Sequence, residues 1–212
     1  MISVIFDMDG TLLDTQSICV PAWEWAGNNQ GIPGMGAHIQ MVCGMNEAGW
    51  SGYLEENFPC LDIELFKKEM REYIIDNLKV RFMPGAEELL EFLDENNIKY
   101  AIASGSSVAS IRHHLGELGV LDKFEVMVGG RDVKNGKPAP DIFLLTAEKL
   151  GVAPCDCFVF EDSANGVRAG YAAGMKVFGI ADVAAFGDDI KKLMFKELNS
   201  LNEAINILKE FI

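Results

Sequence analysis

The sequence predicts an α/β fold in which helices cover a parallel sheet and a mostly helical segment is inserted after the first strand. Two observations support this prediction. Short β-rich runs alternate with helical patterns along most of the chain, which is typical of parallel strands joined by helical crossovers. The stretch from 15 to 83 breaks that alternation. The predicted strands are Ser3–Phe6, Lys99–Ser104, Phe124–Val128, Phe158–Glu161 and Lys176–Ile180.

Apolar residues at helical spacing predict two helices that pack on the sheet. The first follows a Pro-Gly start signal, and its apolar positions are Ala86, Leu89, Leu90 and Leu93. The second runs from Leu201 to Leu208, near the end of the sequence. The helix after the second strand carries His113 and His114, which lie away from the motifs described below. We expect surface or packing roles for both histidines.

The inserted segment divides the chain into two predicted domains. Residues 15–83 are rich in Trp, Met, Gly and acidic helix formers, so we expect them to form a helical cap. Residues 1–14 and 84–212 then form the catalytic core that contains the sheet. Both junctions fall beside the end of the first strand, and we expect hinges there.

Composition limits the possible partners of this chain. A net charge of −14 would repel a nucleic-acid backbone, and no basic patch offsets it. No apolar run approaches the ~18 residues of a membrane span, and no basic leader precedes the first strand. We therefore expect a cytoplasmic protein without nucleic-acid or membrane partners. The five scattered cysteines show no metal-ligand spacing, and we expect them to be reduced.

Two carboxylates follow the first strand directly. In VIFDMDGTLLD, Asp7 and Asp9 emerge at the carboxyl edge of the predicted sheet, where open α/β sheets bind ligands. Carboxylates this close repel each other unless a cation neutralises them or one takes up a proton. Mg²⁺ prefers oxygen ligands, so the pair is a candidate magnesium site. A polar strand-to-loop turn is the alternative interpretation.

Three later segments place polar side chains at the ends of other strands. Ser104, followed by Gly105 and two more serines, offers a phosphate seat at a helix start, although a simple helix cap has the same composition. Lys137 precedes prolines that fix the local backbone, so its ammonium could be held against an anion instead of being solvated. Glu161 and Asp162 end an apolar strand and could complete the metal site or pair with a helix N-terminus.

Together, DMDGT, Ser104, KPAPDIF and FEDSANGVRAGYAAGM resemble the haloacid dehalogenase superfamily over essentially the whole chain. The resemblance is to the members with a helical cap, near the β-phosphoglucomutase-like phosphatases. It implies a Rossmann-like core and a Mg²⁺-dependent phosphatase acting on a small phosphate monoester. It also implies that Asp7 is the nucleophile that becomes a phospho-aspartate, and that Asp9 is the general acid and base.

The resemblance assigns roles to the remaining motif residues as well. Mg²⁺ would be bound by the Asp7 carboxylate, the Asp9 carbonyl and Asp162, and Glu161 would be either a ligand or a neighbour of the ligands. The phosphate-binding residues would be Ser104, Gly105 and Lys137. The candidate specificity residues of the cap are Asn46, Glu47 and Trp50.

Other activities remain open at this stage. Dehalogenases of the family lack the second aspartate, and phosphonate cleavage needs a cap lysine that this chain lacks before Lys67. A β-phosphoglucomutase-type mutase is the main alternative, although Cys19 and Glu47 stand where those mutases carry a histidine and an arginine. A phospho-accepting signalling domain is the second alternative, but there the accepting aspartate follows the third strand.

The charge of the cap suggests the nature of the leaving group. Residues 15–66 contain several acids but no Lys or Arg. Because an anion beside that surface would meet repulsion, we expect a neutral or cationic leaving group, such as a sugar, polyol or nucleoside, and not a second phosphate or a carboxylate. Basic residues later in the cap would change this expectation if they turned inward: Lys67, Lys68, Arg71, Lys79 and Arg81.

Overall fold

The computed structural model describes residues 2–42, 45, 47–77, 79–180 and 185–212, and these contain one parallel sheet of six strands. The spatial order is β3-β2-β1-β4-β5-β6. The order reverses between β1 and β4, which makes this the switch point where open α/β sheets bind ligands. The predicted α/β, Rossmann-like fold is confirmed. The strands are β1 Ser3–Phe6, β2 Lys99–Ser104, β3 Val126–Gly129, β4 Cys157–Glu161, β5 Lys176–Ile180 and β6 Lys196–Leu198.

The helices include both predicted ones. The predicted helix after Pro84 and Gly85 is present, with Leu89 and Leu93 fully buried. The C-terminal pattern forms a shorter α-helix flanked by 3₁₀ turns, which still buries Leu201 and Leu208. The α-helices are α1 Gln16–Asn29, α2 Ile39–Val42, α3 Glu47–Asn57, α4 Ile63–Asn77, α5 Ala86–Glu95, α6 Val108–Glu117, α7 Asp141–Leu150, α8 Ala164–Ala172, α9 Asp188–Lys191 and α10 Ala204–Leu208.

Both faces of the sheet are covered by helices. Successive residues of a strand point to opposite faces. On one face, Val4 and Phe6 of β1 join a core with residues of α5, α6 and α10. On the other, Ile5 joins a core with residues of α7, α8 and α9. This two-sided burial explains why the strand is a continuous apolar run, and it fixes the position of the residues that follow it.

Two parts of the sheet differ from the sequence prediction. β3 begins at Val126, since Phe124 directly follows the 3₁₀ turn Leu121–Lys123; the Phe124 ring packs edge-on against Tyr100, with ring centroids 5.1 Å apart. β6 was not predicted. It is a three-residue edge strand, Lys196–Leu198, with two of its residues exposed, so the sequence shows neither an apolar run nor a clear alternation there.

Helices α1–α4, in the inserted segment, have a hydrophobic cluster of their own. Trp23 packs edge-on against Phe66 at 5.3 Å and lies 5.8 Å from the ring of Trp50. The two ends of the segment pair with each other, since the Asp14 amide donates to the Arg81 carbonyl at 2.9 Å and the side chains of these two residues form an ion pair. Among the described residues, no helix combines the length and apolar character needed to cross a membrane.

Candidate active site

The strand ends bring the predicted motif residues together. Asp7 follows β1, Ser104 ends β2 and Glu161 ends β4, so all three lie at the carboxyl edge of the sheet. Lys137 comes from the loop between β3 and α7, and its Nζ reaches Asp7 Oδ1 at 2.5 Å. The parallel topology therefore joins residues that are far apart in sequence.

Lys137 is a buried cation between two carboxylates. Its side chain is only 6% exposed, and its ammonium donates to Asp7, to Glu161 and to the Ala103 carbonyl. Burial acts to lower the pKa of Lys137, but the charges of Asp7 and Glu161 outweigh burial and raise it. The ammonium thus remains charged and fixed at the floor of the site.

Glu161 is held from the opposite side by the start of α8. Its Oε2 accepts hydrogen bonds from the Ser163 backbone and hydroxyl, at 3.1 and 3.0 Å. Ser163 also caps α8 by accepting from the Gly166 amide at 3.0 Å. A Cβ atom at Gly166 would lie 1.8 Å from Glu161 Cδ, so only glycine allows this approach. With both oxygens engaged, Glu161 serves as the counter-ion of Lys137.

Asp9 is positioned by three hydroxyl groups. Its Oδ1 accepts from Thr15 at 2.7 Å, and its Oδ2 accepts from Ser104 at 3.1 Å and from Ser106 at 2.7 Å. Ser104 was predicted as a site residue, whereas the contacts of Thr15 and Ser106 with Asp9 were not predicted. The sequence signal for these contacts was the closeness of Thr15 and Ser106 to the motifs that contain Asp9 and Ser104. The Ser104 hydroxyl donates to the proposed acid and base, Asp9, while Lys137 donates to the carbonyl of the preceding residue, Ala103.

Asp162 shares a hydrogen-bond donor with the backbone of Asp9. The Gln16 amide nitrogen donates to Asp162 Oδ2 at 2.6 Å and to the Asp9 carbonyl oxygen at 3.0 Å. Gly10 makes room for this contact with a positive φ of 78°, because a Cβ atom there would lie 2.2 Å from the Gln16 nitrogen. The Asp9 carbonyl oxygen and an Asp162 carboxylate oxygen, both from residues predicted to bind Mg²⁺, therefore contact the same nitrogen atom. Gln16 was not predicted as a site residue.

The site holds more negative charge than Lys137 can neutralise. Burial, opposed by Lys137 and reinforced by Glu161 and Asp9, raises the pKa of Asp7 to about 8. Burial and the charges of Glu161 and Asp7 also raise the pKa of Asp162. A divalent cation would relieve this crowding, and carboxylate and carbonyl oxygens are the donors that Mg²⁺ prefers. The residues present therefore fit a magnesium ion.

A cavity of about 1110 Å³ lies over these residues and reaches the inserted helices. Asp7, Asp9, Lys137 and Asp162 line its floor. The predicted residues Gly105, Glu47 and Trp50 also line the cavity, whereas Asn46 lies outside the described residues. Its further lining includes three basic residues, namely Lys67, Arg71 and Arg131.

The basic residues of α4 change the expected charge of the cavity wall. Lys67 Nζ lies 3.4 Å from Glu47 Oε1, and an Arg71 guanidinium nitrogen lies 3.6 Å from the same oxygen. Lys67 also sits over the Trp50 ring, 5.4 Å from its centroid, and is only 11% exposed. The wall predicted to be acidic therefore contains a carboxylate that two cations already compensate. The inward turn of Lys67 could not be predicted from spacing alone.

Comparisons with known proteins agree on one family. A family model described as haloacid dehalogenase-like hydrolase matches residues 3–174. A phosphorylated carbohydrates phosphatase from Thermotoga maritima is 34% identical over 100% of both chains. A fructose-1-phosphate phosphatase from Escherichia coli is 34% identical over 81% of this chain and 92% of that protein. A beta-phosphoglucomutase from Bacillus subtilis is 32% identical over 85% of this chain and 83% of its own length.

Solved structures show the same architecture. A hydrolase from Pseudomonas syringae superposes with a TM-score of 0.83 and 27% identity, covering 99% of each chain. A beta-phosphoglucomutase from Clostridium difficile superposes with a TM-score of 0.80 and 28% identity, covering 99% of this chain and 96% of that one. The likeness thus extends over both the sheet and the inserted helices.

Proposed function

The chain belongs to the haloacid dehalogenase-like hydrolases, and from that premise we propose that it is a Mg²⁺-dependent phosphatase of small phosphate monoesters. The observation that supports this most directly is the floor of the cavity. There Asp7 contacts the buried ammonium of Lys137. Asp9, two residues later in the sequence, accepts hydrogen bonds from surrounding hydroxyl groups. A nucleophile, a phosphate-binding cation and a separate acid and base are thus provided in one place.

In the first half-reaction, Asp7 attacks the phosphorus atom of the substrate. Lys137 binds Asp7 Oδ1, which leaves Oδ2 as the attacking oxygen. The bond between phosphorus and the ester oxygen breaks as the aspartyl phosphate forms, and protonated Asp9 gives its proton to the departing oxygen. Mg²⁺, when bound, supplies charge neutralisation for the phosphoryl group, and Asp7, the Asp9 carbonyl and Asp162 would hold it.

In the second half-reaction, a water molecule attacks phosphorus and Asp9 takes its proton. Inorganic phosphate leaves, and Asp7 is regenerated as a carboxylate. Asp9 is suited both to donate and to accept a proton, because the groups that hold its oxygens are three neutral hydroxyls and not a fixed positive charge. Lys137 and Gly105 would bind the phosphate in both half-reactions, while Glu161 keeps Lys137 in place.

We further propose that residues 15–83 form a cap that moves over the core formed by residues 1–14 and 84–212. The paired ends of the segment, Asp14 with Arg81 and Leu12 with Met83, provide a narrow connection on which it could pivot. Closure would exclude water during phosphoryl transfer. Structures with and without a phosphate analogue test this idea, and a segment that keeps one position over Asp7 in both would contradict it.

For the leaving group, we propose a neutral polyhydroxyl compound such as a sugar or polyol. Glu47 pairs with both Lys67 and Arg71, and Glu64 also pairs with Lys67, so this part of the cavity wall offers both acceptors and donors for hydroxyls. The names of two relatives, a phosphorylated carbohydrates phosphatase and a fructose-1-phosphate phosphatase, support the same class.

A phosphosugar mutase of the β-phosphoglucomutase type is the second candidate, because relatives and solved structures of that name share the fold and most of the chain. The test is product analysis with sugar monophosphates and Mg²⁺. We expect stoichiometric inorganic phosphate, loss of turnover when Mg²⁺ is chelated, and no dependence on a sugar bisphosphate. Isomerised sugar phosphate without phosphate release would establish the mutase instead. Metal-independent release would contradict the proposed magnesium site.

A further inference from the structure

The last turn of α6 carries a cluster of metal-ligating side chains that the proposed reaction does not use. His113, His114 and Glu117 each offer one ligand atom, and the three atoms lie within 4.8 Å of one another. Glu117 Oε2 is 3.8 Å from His113 Nε2 and 3.6 Å from His114 Nδ1. Among the residues that the structure describes, no other group of three or more such side chains has this spacing.

His114 provides an independent reason to consider a ligand. Its side chain is 17% exposed, and its Nδ1 is buried without a hydrogen-bond partner among the described residues. The Glu117 oxygen is too distant for a hydrogen bond, so the contact leaves this nitrogen unsatisfied. Buried imidazole nitrogens are normally paired. A cation between His114 and Glu117 would satisfy both groups.

We propose that His113, His114 and Glu117 bind a borderline-soft divalent cation of the Zn²⁺ class. Two imidazoles and a carboxylate are typical zinc donors, whereas Mg²⁺ prefers oxygen alone. With bonds of about 2.1 Å, donors around a tetrahedral zinc lie roughly 3.4 Å apart, close to the 3.8 and 3.6 Å between Glu117 and the two imidazole nitrogens. Only small side-chain movements are needed, and His113, at 68% exposure, is able to make them. Water would complete the coordination.

The chain's overall charge and the local surroundings suit a cation. The net charge of −14 raises the concentration of cations near the surface. His114 also lines a cavity of about 340 Å³ between α6 and the inserted helices, together with Ile18, Cys19 and Ser106. The opposite side of the cluster is open, because Glu117 is 47% exposed. An ion can therefore enter from solvent while His114 anchors it.

The experiment measures Zn²⁺ binding by competition with a chromophoric chelator, with Mg²⁺ saturating so that the Asp7 site is occupied. Wild-type protein is compared with His113→Ala and Glu117→Gln, whose side chains are substantially exposed, so both variants should fold. Glu148→Gln on α7 is the matched control for a surface carboxylate. A double Cys60→Ser, Cys155→Ser variant controls for exposed thiols.

We expect one Zn²⁺ per chain in the wild type and in both controls, with affinity reduced at least about tenfold in His113→Ala and in Glu117→Gln. Co²⁺ used as a probe should give a spectrum without thiolate charge transfer. Three results would overturn the proposal: no binding under saturating Mg²⁺, a smaller loss of affinity in either α6 variant, or loss of binding in the cysteine variant.

Discussion

The Gln16 amide nitrogen lies 2.6 Å from Asp162 Oδ2, and it also contacts the Asp9 carbonyl oxygen. One neutral donor thus joins two of the three oxygens proposed to bind Mg²⁺. Gln16 is also the first residue of α1, the helix with which the inserted segment begins. The proposed metal ligands and the proposed hinge of the cap are therefore linked through a single side chain.

Replacing Gln16 with alanine should strengthen Mg²⁺ binding. The cation must displace the amide from Asp162 and from the Asp9 carbonyl, and a hydrogen bond to a charged group is worth about 1.5 kcal/mol. Its loss corresponds to about tenfold in Kd, measured by calorimetry. The exposed neighbour Ser17→Ala is the control and should leave Kd unchanged. Weaker Mg²⁺ binding in Gln16→Ala would show that the amide supports the metal site instead of competing for it.

Asp9→Asn should separate catalysis from metal binding. The asparagine keeps the shape of the side chain and the backbone carbonyl proposed as a ligand, but it cannot exchange a proton. We expect kcat to fall by about 10² to 10⁴. Mg²⁺ affinity should stay within a few-fold of wild type, as measured by calorimetry. An unchanged kcat with a poor leaving group would exclude Asp9 as the general acid.

Gly166→Ala should be strongly destabilising because its Cβ would lie 1.8 Å from Glu161 Cδ. The clash would displace Glu161 and its partner Lys137, at a cost of about 1–3 kcal/mol or more in the free energy of unfolding. The control is Gly116→Ala in α6, where an added Cβ meets no atom within 4 Å. It should stabilise the protein by roughly 0.5–1 kcal/mol. Denaturant titration compares both variants, and equal stability would contradict the packing described for Glu161.

Glu47→Gln should change the preference for the leaving group. The wild type should prefer a neutral sugar monophosphate to phosphoglycolate or a sugar bisphosphate in kcat/KM. Without Glu47, Arg71 loses its ion pair with that carboxylate and Lys67 keeps only Glu64, so the preference should shift towards anionic substrates by about tenfold, or ~1.4 kcal/mol. Glu64→Gln is the matched control, because Glu64 also pairs with Lys67 but is 85% exposed. A wild-type enzyme that favours the bisphosphate tenfold would contradict the proposed leaving group.

The sequence predicted the features that depend on local pattern. Apolar runs located β1, β2, β4 and β5, and the polar residues directly after them were expected at one edge because parallel strands align their carboxyl ends. The convergence of Asp7 and Glu161 follows from that topology, whereas Lys137 reaches them from the loop between β3 and α7. By contrast, β6 is short and polar, and it is a strand because it pairs with β5. A local sequence pattern does not predict such pairing.

Contacts that depend on how the helices are oriented could not be predicted from the sequence. Lys67 turns into the cavity because of how α4 packs against α1 and Trp50, so its pairing with Glu47 was not predicted. The Gln16 contact depends on where α1 begins and on the positive φ of Gly10. Each of these arises from tertiary packing, for which residue spacing is not informative.

Rapid acid quench during turnover of a labelled sugar phosphate, followed by peptide mapping, tests the central proposal most directly. The label should appear transiently on Asp7, in the peptide that contains β1, and it should form and decay at rates compatible with kcat. The Asp7→Asn variant should carry no label and should lack turnover, because an amide cannot attack phosphorus. Label on another residue, or phosphate release by Asp7→Asn within tenfold of the wild-type rate, would contradict the phospho-aspartate mechanism.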